Sequence, residues 1–227
     1  MTDFRIRCSA IGKLMTEPTA AAAKAGEVLS VGAKTAIREL VAQDLFGVEF
    51  EVSSKPMEKG IECEPAAIEL LNRVRSLALV KNTERRTNAY ITGECDLFDA
   101  PRRAGRDLKC AWSVATFPIC PEDIASTQRT LYEWQMRGYM WLWDADEWHV
   151  DYCLVDTPER LIGFEPITLH VVSHIPEHMR VTSWTVKRDR AKEEQMAAKV
   201  RAARAYYAEA VREFEATHPA PADLLAA

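Results

Sequence analysis

The chain has 227 residues, with 29 Lys and Arg against 34 Asp and Glu, a formal net charge of −5 and 48% hydrophobic residues. That length and apolar content suit one globular domain, or one domain with a helical appendage, and the charge supplies no overall basic field for nucleic acid, though an acidic protein can still carry a locally basic channel. The six cysteines (Cys8, Cys63, Cys95, Cys110, Cys120, Cys153) are scattered without a C-x-x-C pair, so they read as reduced thiols and exclude a disulfide framework and a zinc-ligand pattern.

The segment Met1 to Cys8 is charged and too mixed for a signal peptide. No apolar run approaches the roughly 20 residues that cross a bilayer, so a soluble cytoplasmic protein with no membrane partner is expected. Arg5, Arg7, Ser9 and Lys13 form a compact set of donors. They suit a phosphate, or else Ser9 caps a short helix beside solvated basic residues. Pro18 to Ser30 reads as a mobile loop. Val31 to Leu45 reads as a helix, since Ala36, Ile37, Leu40, Val41 and Leu45 recur at helical spacing. Phe46 to Lys59 reads as a loop.

Pro65 fits the first turn of a further helix whose apolar face runs through Ala67, Ile68, Leu71 and Val74. Glu64 leads that face and either caps the helix or binds something; Glu62 points elsewhere. Leu77 to Val80 and Ala89 to Leu97 read as strands. The stretch Gly93 to Lys109 then reads as two strands joined by the turn Asp99-Ala-Pro-Arg-Arg-Ala-Gly105. Asp96 falls near the end of the first strand, and Asp107 and Lys109, two apart on the second, share a face. Two carboxylates about 4 Å apart at an effective dielectric near 20 repel by roughly 4 kcal/mol, so the arrangement suggests a divalent cation with a lysine beside it. Arg102, Arg103 and Arg106 add positive charge near these acids, and at least two of them read as solvated turn residues.

A long helix is expected from about Thr127 to Trp143, with Leu131, Gln135, Tyr139 and Leu142 on one face. Gln135 is either a satisfied core amide or a substrate contact. Trp134, Trp141 and Trp143 read as core. Glu147 to Val155 alternates as a strand, and Ile167 to Val172 and Met179 to Val186 read as shorter ones. His170, His174 and His178 recur every four residues, but Pro176 and a β-like pattern rule out a helical metal site. Lys187 to Thr217 is a charged helix with one apolar stripe (Met196, Val200, Ala203, Tyr207, Val211, Phe214), packing on the domain or on a neighbouring subunit. A Pro/Ala-rich tail from His218 is expected to be disordered.

Taken in order, Gly60-x-x-x-Glu64-Pro65, Gly93-x-x-Asp96, Asp107-x-Lys109 and Gln135-x-x-x-Tyr139 resemble the PD-(D/E)xK nuclease superfamily, and within it the phage-type recombination exonucleases of the YqaJ and lambda-exonuclease group. Arg7-Cys-Ser-Ala-Ile-Gly-Lys-Leu-Met15, Lys59-Gly-Ile-Glu-Cys-Glu-Pro-Ala-Ala67 and Tyr132-Glu-Trp-Gln-Met-Arg-Gly-Tyr-Met140 carry the likeness, which runs from about Arg5 to Asp156. The N-terminal basic residues fall at a different spacing from the family's 5′-phosphate pocket.

The resemblance implies an α/β fold with a restriction-endonuclease-like core: a central mixed β-sheet flanked by helices, followed by a long C-terminal helix. One nuclease domain would span 1–217, with a helical N-terminal part to about 56, a catalytic core from 57 to 186, the C-terminal helix, and a tail at 218–227. It further implies that Asp96, Asp107 and the Leu108 carbonyl hold one or two Mg²⁺ or Mn²⁺ ions, with Glu64 completing the shell directly or through water. Lys109 would activate the attacking water, Gln135 would position the water or the scissile strand, and Tyr139 would pack beneath it. The implied activity is 5′-to-3′ digestion of one strand of linear duplex DNA, leaving 3′ overhangs for recombination. The implied partners are double-stranded DNA ends, a single-strand annealing protein and further copies of the chain in a trimeric ring. An endonuclease or RecB-like nuclease is the alternative within the enzyme class, and an inactive nucleic-acid-binding module on the same fold is the alternative outside it. A Cas4-like iron–sulfur protein is disfavoured, because no cysteine follows Cys153.

Overall fold

The computed structural model describes residues 4–50, 53–124 and 126–219. Its architecture is α/β: two adjoining sheets with helices on their faces and a long terminal helix. The first strand, β1 (Ile6–Arg7), runs directly into α1 (Cys8–Leu14). Helices α2 (Ala20–Lys24) and α3 (Val31–Phe46) follow, so a short capped helix replaces part of the loop expected between Pro18 and Ser30. Ser9 lies inside the first turn of α1, and the N-cap position is Arg7, which makes no side-chain capping bond. Ser30 does cap, accepting the Ala33 N–H at 3.0 Å, and Gly47 ends α3 in the left-handed region that glycine adopts without strain.

Helix α4 (Lys55–Arg75) starts ten residues earlier than Pro65 suggests, because Pro56 occupies the first turn and Pro65 is interior. An interior proline removes one hydrogen bond and costs about 3 kcal/mol. Burial of Cys63, Ala67, Leu70 and Leu71 against the sheet offsets that cost. Glu64 is therefore a mid-helix residue and cannot be a cap.

The sheet residues fall into two groups. Strand β3 (Ile91–Glu94) lies between β1, parallel to it, and β2 (Arg85–Thr87), antiparallel to it. A bend at Cys95 and Asp96 then starts a second sheet of β4 (Leu97–Asp99), β5 (Ala104–Cys110), β6 (Glu147–Cys153) and β7 (Val181–Lys187), in that order. The hairpin is thus β4–β5, and Gly93 belongs to the other sheet. Asn82 holds the bend: its N–H reaches the Asp96 carbonyl at 2.8 Å and its amide reaches the Cys95 carbonyl at 3.1 Å.

Two expected strands are absent. In Leu77 to Val80, the backbone N–H and carbonyl of Leu79 both bond the Asn72 side chain, which takes the place of a strand partner. In Ile167 to Val172 the chain makes a short 3₁₀ turn, and the Val172 N–H goes to the Asp156 carboxylate.

β5 and β6 run parallel, with Gly105 opposite Trp148 and Asp107 opposite Val150. Parallel neighbours require a crossover. Here it is α5 (Ser126–Trp143), which packs Met136, Tyr139, Met140 and Trp143 onto Trp148 and Val150. That buried stripe is rotated from the expected one: Leu131 is exposed and Gln135 sits at the stripe's edge. Gly105 is required here, since a Cβ would lie 2.2 Å from the Trp148 ring. A four-residue helix, α6 (Glu159–Ile162), precedes β7.

The terminal helix α7 (Arg190–Thr217) is capped by Asp189 and buries Met196, Val200, Ala203 and Tyr207 in the core that α1, α3 and α5 share. Its apolar stripe is thus used within the chain. His218 stacks on Phe214 at 4.2 Å, while residues 220–227 of the expected tail lie outside the described residues. Among the described residues no helix is long and apolar enough to cross a membrane.

Candidate active site

Pairing between β4 and β5 stops at Leu97 opposite Arg106, leaving the outer edge of β5 free from Asp107 onward. At that point the Asp96 carboxylate replaces the ladder, accepting the Leu108 N–H at 2.8 Å. A strand residue presents its N–H and C=O to the same side, so the Leu108 carbonyl faces the same free edge. Asp107 and Lys109 project from the face covered by α5, while Leu108 packs against α4.

Asp107 is 2% exposed. Its Oδ1 accepts the Gln135 amide at 3.3 Å, and its Oδ2 is buried without a hydrogen bond of good geometry, although the Lys109 ammonium lies 2.5 Å away. Burial pushes the Asp107 carboxyl up to about 6, against the pull of Lys109. Burial disfavours the Lys109 charge too, but the Asp107 carboxylate outweighs it and holds the lysine above its ordinary pKa. Lys109 also lies 4.9 Å from the centre of the Tyr132 ring. The same Gln135 amide reaches the Tyr139 hydroxyl at 3.2 Å, and that hydroxyl donates to the Glu94 carbonyl at 3.1 Å. Burial and the nearby Asp107 charge raise the Tyr139 pKa, so the phenol stays protonated and acts as a fixed donor. Gly93 makes room for this ring, since a Cβ there would meet Tyr139 at 2.9 Å and the Cys8 sulfur at 2.8 Å.

Glu64 reaches the site from α4 through a residue that the sequence reading did not single out. Lys81 bridges the two outer acids, with its Nζ 2.5 Å from Glu64 Oε1 and 3.0 Å from Asp96 Oδ1. Burial works against the Lys81 charge, but the two carboxylates hold its pKa above the ordinary value. All of Glu64, Lys81, Asp96, Asp107, Leu108, Lys109, Gln135 and Tyr139 line one cleft of about 1060 Å³, whose far wall is Trp112, Phe117, Pro118 and Ile124.

A second missed residue is Lys59, one residue before the Gly60 motif. It is fully buried, and its ammonium donates to the carbonyls of Ala111 (2.6 Å), Trp112 (3.1 Å) and Val155 (2.9 Å). Burial lowers its pKa. It pins the chain leaving β5 to the end of β6 and so fixes the cleft wall beside Lys109.

Arg5, Arg7, Ser9 and Lys13 are exposed on β1 and α1 and are absent from the cleft lining; Arg7 lies 3.9 Å from Glu49. The three hairpin arginines do not attend the acids either. Arg102 pairs with Asp99, Arg103 with Asp144 and Asp146, and Arg106 with the buried Asp151 on the opposite face of β5. Trp143 is buried, whereas Trp134 and Trp141 pack only at the core's edge. His170 is buried on Thr157 and Glu165, away from His174 and His178.

Among the described residues no three His, Cys, Asp or Glu side chains close into a metal cage. Glu64 and Asp96 are instead arranged around Lys81. An open site on Asp96, Asp107 and the Leu108 carbonyl nonetheless fits a cation. Its donors are all oxygens, which suit Mg²⁺ or Mn²⁺, and Asp107 Oδ2 is a buried acceptor lacking a well-directed donor.

A mixed sheet with two acids and a lysine at the free edge of one strand, and a glutamate brought by the preceding helix, defines a PD-(D/E)xK-type nuclease fold. The structural comparisons agree. A phage-related exonuclease from Haemophilus somnus 129PT is 37% identical over 93% of this chain and 96% of its own, with a TM-score of 0.86. The chain therefore belongs to the phage-related exonucleases, the YqaJ and lambda-exonuclease group of that superfamily. The alkaline exonuclease LHK-Exo from Laribacter hongkongensis shares the fold at 16% identity, over 94% of this chain and 92% of its own (TM-score 0.63); its complex with dAMP aligns with a TM-score of 0.59. No protein-family model and no curated protein sequence matches the chain.

Proposed function

We propose that this nuclease is a Mg²⁺- or Mn²⁺-dependent exonuclease that digests one strand of linear duplex DNA from its 5′ end, leaving 3′ overhangs for phage-type recombination. The observation that carries this reading is the meeting of Asp96, Asp107 and the Leu108 carbonyl at the free edge of β5, with Lys109 2.5 Å from Asp107. Asp96, Asp107 and the carbonyl would hold one or two ions, with Glu64 at the outer side. A divalent ion bound there would lower the pKa of a bound water and offset charge on the phosphoryl group in flight.

The chain's own residues do the rest. Lys109, held protonated beside Asp107, is a donor that would orient the water and favour its ionisation through its charge. Gln135 holds Asp107 and Tyr139 in one line of hydrogen bonds and keeps a polar amide at the cleft wall for the scissile strand. The aromatic far wall can accept an unstacked base, a contact worth about 1–3 kcal/mol per base. The dAMP bound by LHK-Exo is a nucleotide of the kind such hydrolysis releases. A single-strand annealing partner, a trimeric ring around DNA and a cytoplasmic location complete the reading by kinship. The exposed Arg5, Arg7, Ser9 and Lys13 would track the DNA backbone outside the cleft.

Linear duplex labelled at either end, a nicked circle and a closed circle, each incubated with the protein and Mg²⁺, test this. Early loss of the 5′ label with closed circles intact is the expected result. Cutting of closed circles would establish an endonuclease, and no cutting with any divalent ion would leave a binding module.

A further inference from the structure

Lys81 stands on an extended segment that is fixed on both sides. Asn72 clamps Leu79 through both its amide atoms, at 2.8 and 3.1 Å, and Asn82 ties the following residue pair to Cys95, Asp96 and Glu84. The anchor is rigid, and the long flexible stem reaches from it to Glu64 Oε1 and Asp96 Oδ1. The other Asp96 oxygen is occupied by the Leu108 N–H. The Asp96 oxygen that is free of the Leu108 N–H is the one that the Lys81 ammonium holds. Among the described residues, Lys81 is also the cation that pairs with Glu64.

One ammonium and one divalent ion compete for these oxygens. A single and a double positive charge about 4 Å apart at an effective dielectric near 20 repel by roughly 8 kcal/mol, twice the repulsion of two carboxylates. Lys81 has somewhere to go, since its side chain is 37% exposed and it lines the open cleft. Lys109 is differently placed: it pairs with Asp107, not with Glu64 or Asp96.

We propose that Lys81 is a metal-exchange residue, which holds Glu64 and Asp96 together in the metal-free protein and is expelled into the cleft when a divalent ion binds. The proposal rests on the metal site described under the proposed function. Two consequences follow. Metal affinity is lowered by the competing ammonium, and the acid cluster does not need metal to stay assembled. Lys81 is therefore a positioning residue whose effect is on metal binding.

The test is titration calorimetry of Mn²⁺ into chelator-treated, full-length protein, for the native chain and for Lys81→Met and Lys81→Gln. Two neutral replacements guard against a single variant failing to fold. Removing the competitor should tighten Mn²⁺ binding by about tenfold, the ratio that corresponds to one lost charge contact of moderate strength. Acylation of Lys81 by an amine-reactive ester, read by mass spectrometry in the native protein, should rise when Mn²⁺ is added. Native protein that binds Mn²⁺ while both variants bind it no tighter would overturn the exchange role and leave the metal site standing. Lys81 acylation that does not change with Mn²⁺ would overturn it as well. If neither the native chain nor the variants bind Mn²⁺, the metal site itself falls and the exchange role with it.

Discussion

Asp96, next to the last β4–β5 pair, accepts the Leu108 N–H at 2.8 Å. A carboxylate has taken over from a strand partner, and in doing so it ties an acid to the backbone of the strand that carries Asp107 and Lys109. Asp96→Ala should have two separable effects. Loss of a charge-assisted bond to a partly buried N–H should destabilise the metal-free protein by about 2 kcal/mol, read by urea denaturation. Mn²⁺ binding, read by calorimetry, should fall below detection. Asp96→Asn keeps a carbonyl acceptor for Leu108 and should recover most of the stability without recovering Mn²⁺ binding. Recovery of both by asparagine would remove Asp96 from the proposed metal site.

Lys59 is one of the largest fully buried side chains, and it satisfies three carbonyls without a carboxylate. Lys59→Met keeps the apolar stem and removes the donors. The carbonyls of Ala111, Trp112 and Val155 then lose their common partner, at a cost of about 3 kcal/mol. Because the first two lie in the cleft wall, KM for duplex DNA should rise more than kcat falls. An unchanged melting temperature would contradict the pinning role.

Much of the site was open to reading from the chain because its geometry is local. Asp107 and Lys109 share a face by strand periodicity alone, and Gln135 and Tyr139 share one by helical periodicity. Asp96 was found as a residue but misplaced, since strand patterning continues through Cys95 and Asp96 and conceals the bend that Asn82 imposes. Glu64 was read as a helix leader because Pro65 usually marks a helix start, while burial of Cys63, Ala67, Leu70 and Leu71 carried the helix through it. Lys81 went unseen, and Lys59, though it opens a matched motif, received no role, for a different reason. Each is a lone lysine whose partners lie 15 or more residues away in sequence, so no periodicity reports them. The arginines of the hairpin lie near the acids in sequence alone: Arg102 and Arg103 stay at the surface, as turn residues should, and Arg106 pairs with Asp151 on the opposite face.

Lys109 tests the chemistry itself. Lys109→Met should leave duplex binding within a few-fold of the native value, because one cleft lysine contributes little to a contact spread along the backbone. Turnover should fall by about 10²–10³, the usual worth of one positioned donor to developing negative charge. Lys109→Arg keeps the charge but presents a planar fork where Asp107 and Tyr132 leave room for a compact ammonium, so it should not rescue. Turnover within threefold of native for either variant, in a single-turnover assay at saturating Mg²⁺, would refute the role.

Asp107 ties activity to stability, and the direction of its effect follows from its pKa. Burial raises the carboxyl from an ordinary 3.8 to about 6 in the folded protein. Below 3.8 both folded and unfolded chains carry the proton, and Asp107 has no effect on stability. As pH rises from 3.8 to about 6 the unfolded carboxyl ionises while the folded one keeps its proton, so stability falls across that window and levels off above it. Asp107→Asn removes the ionisation but also leaves the Lys109 ammonium without its acid, so in chelator the test is the pH trend: the variant's melting temperature relative to the native protein's should rise between about pH 4 and 6 and stay level above that. The same variant should bind no Mn²⁺ and show no nuclease activity. In the native protein, Mn²⁺ affinity should weaken as pH falls through about 6, because the proton and the metal compete for one buried carboxylate. A variant that is less stable than the native chain at pH 8 in chelator would show that the Lys109 pair outweighs burial at this position.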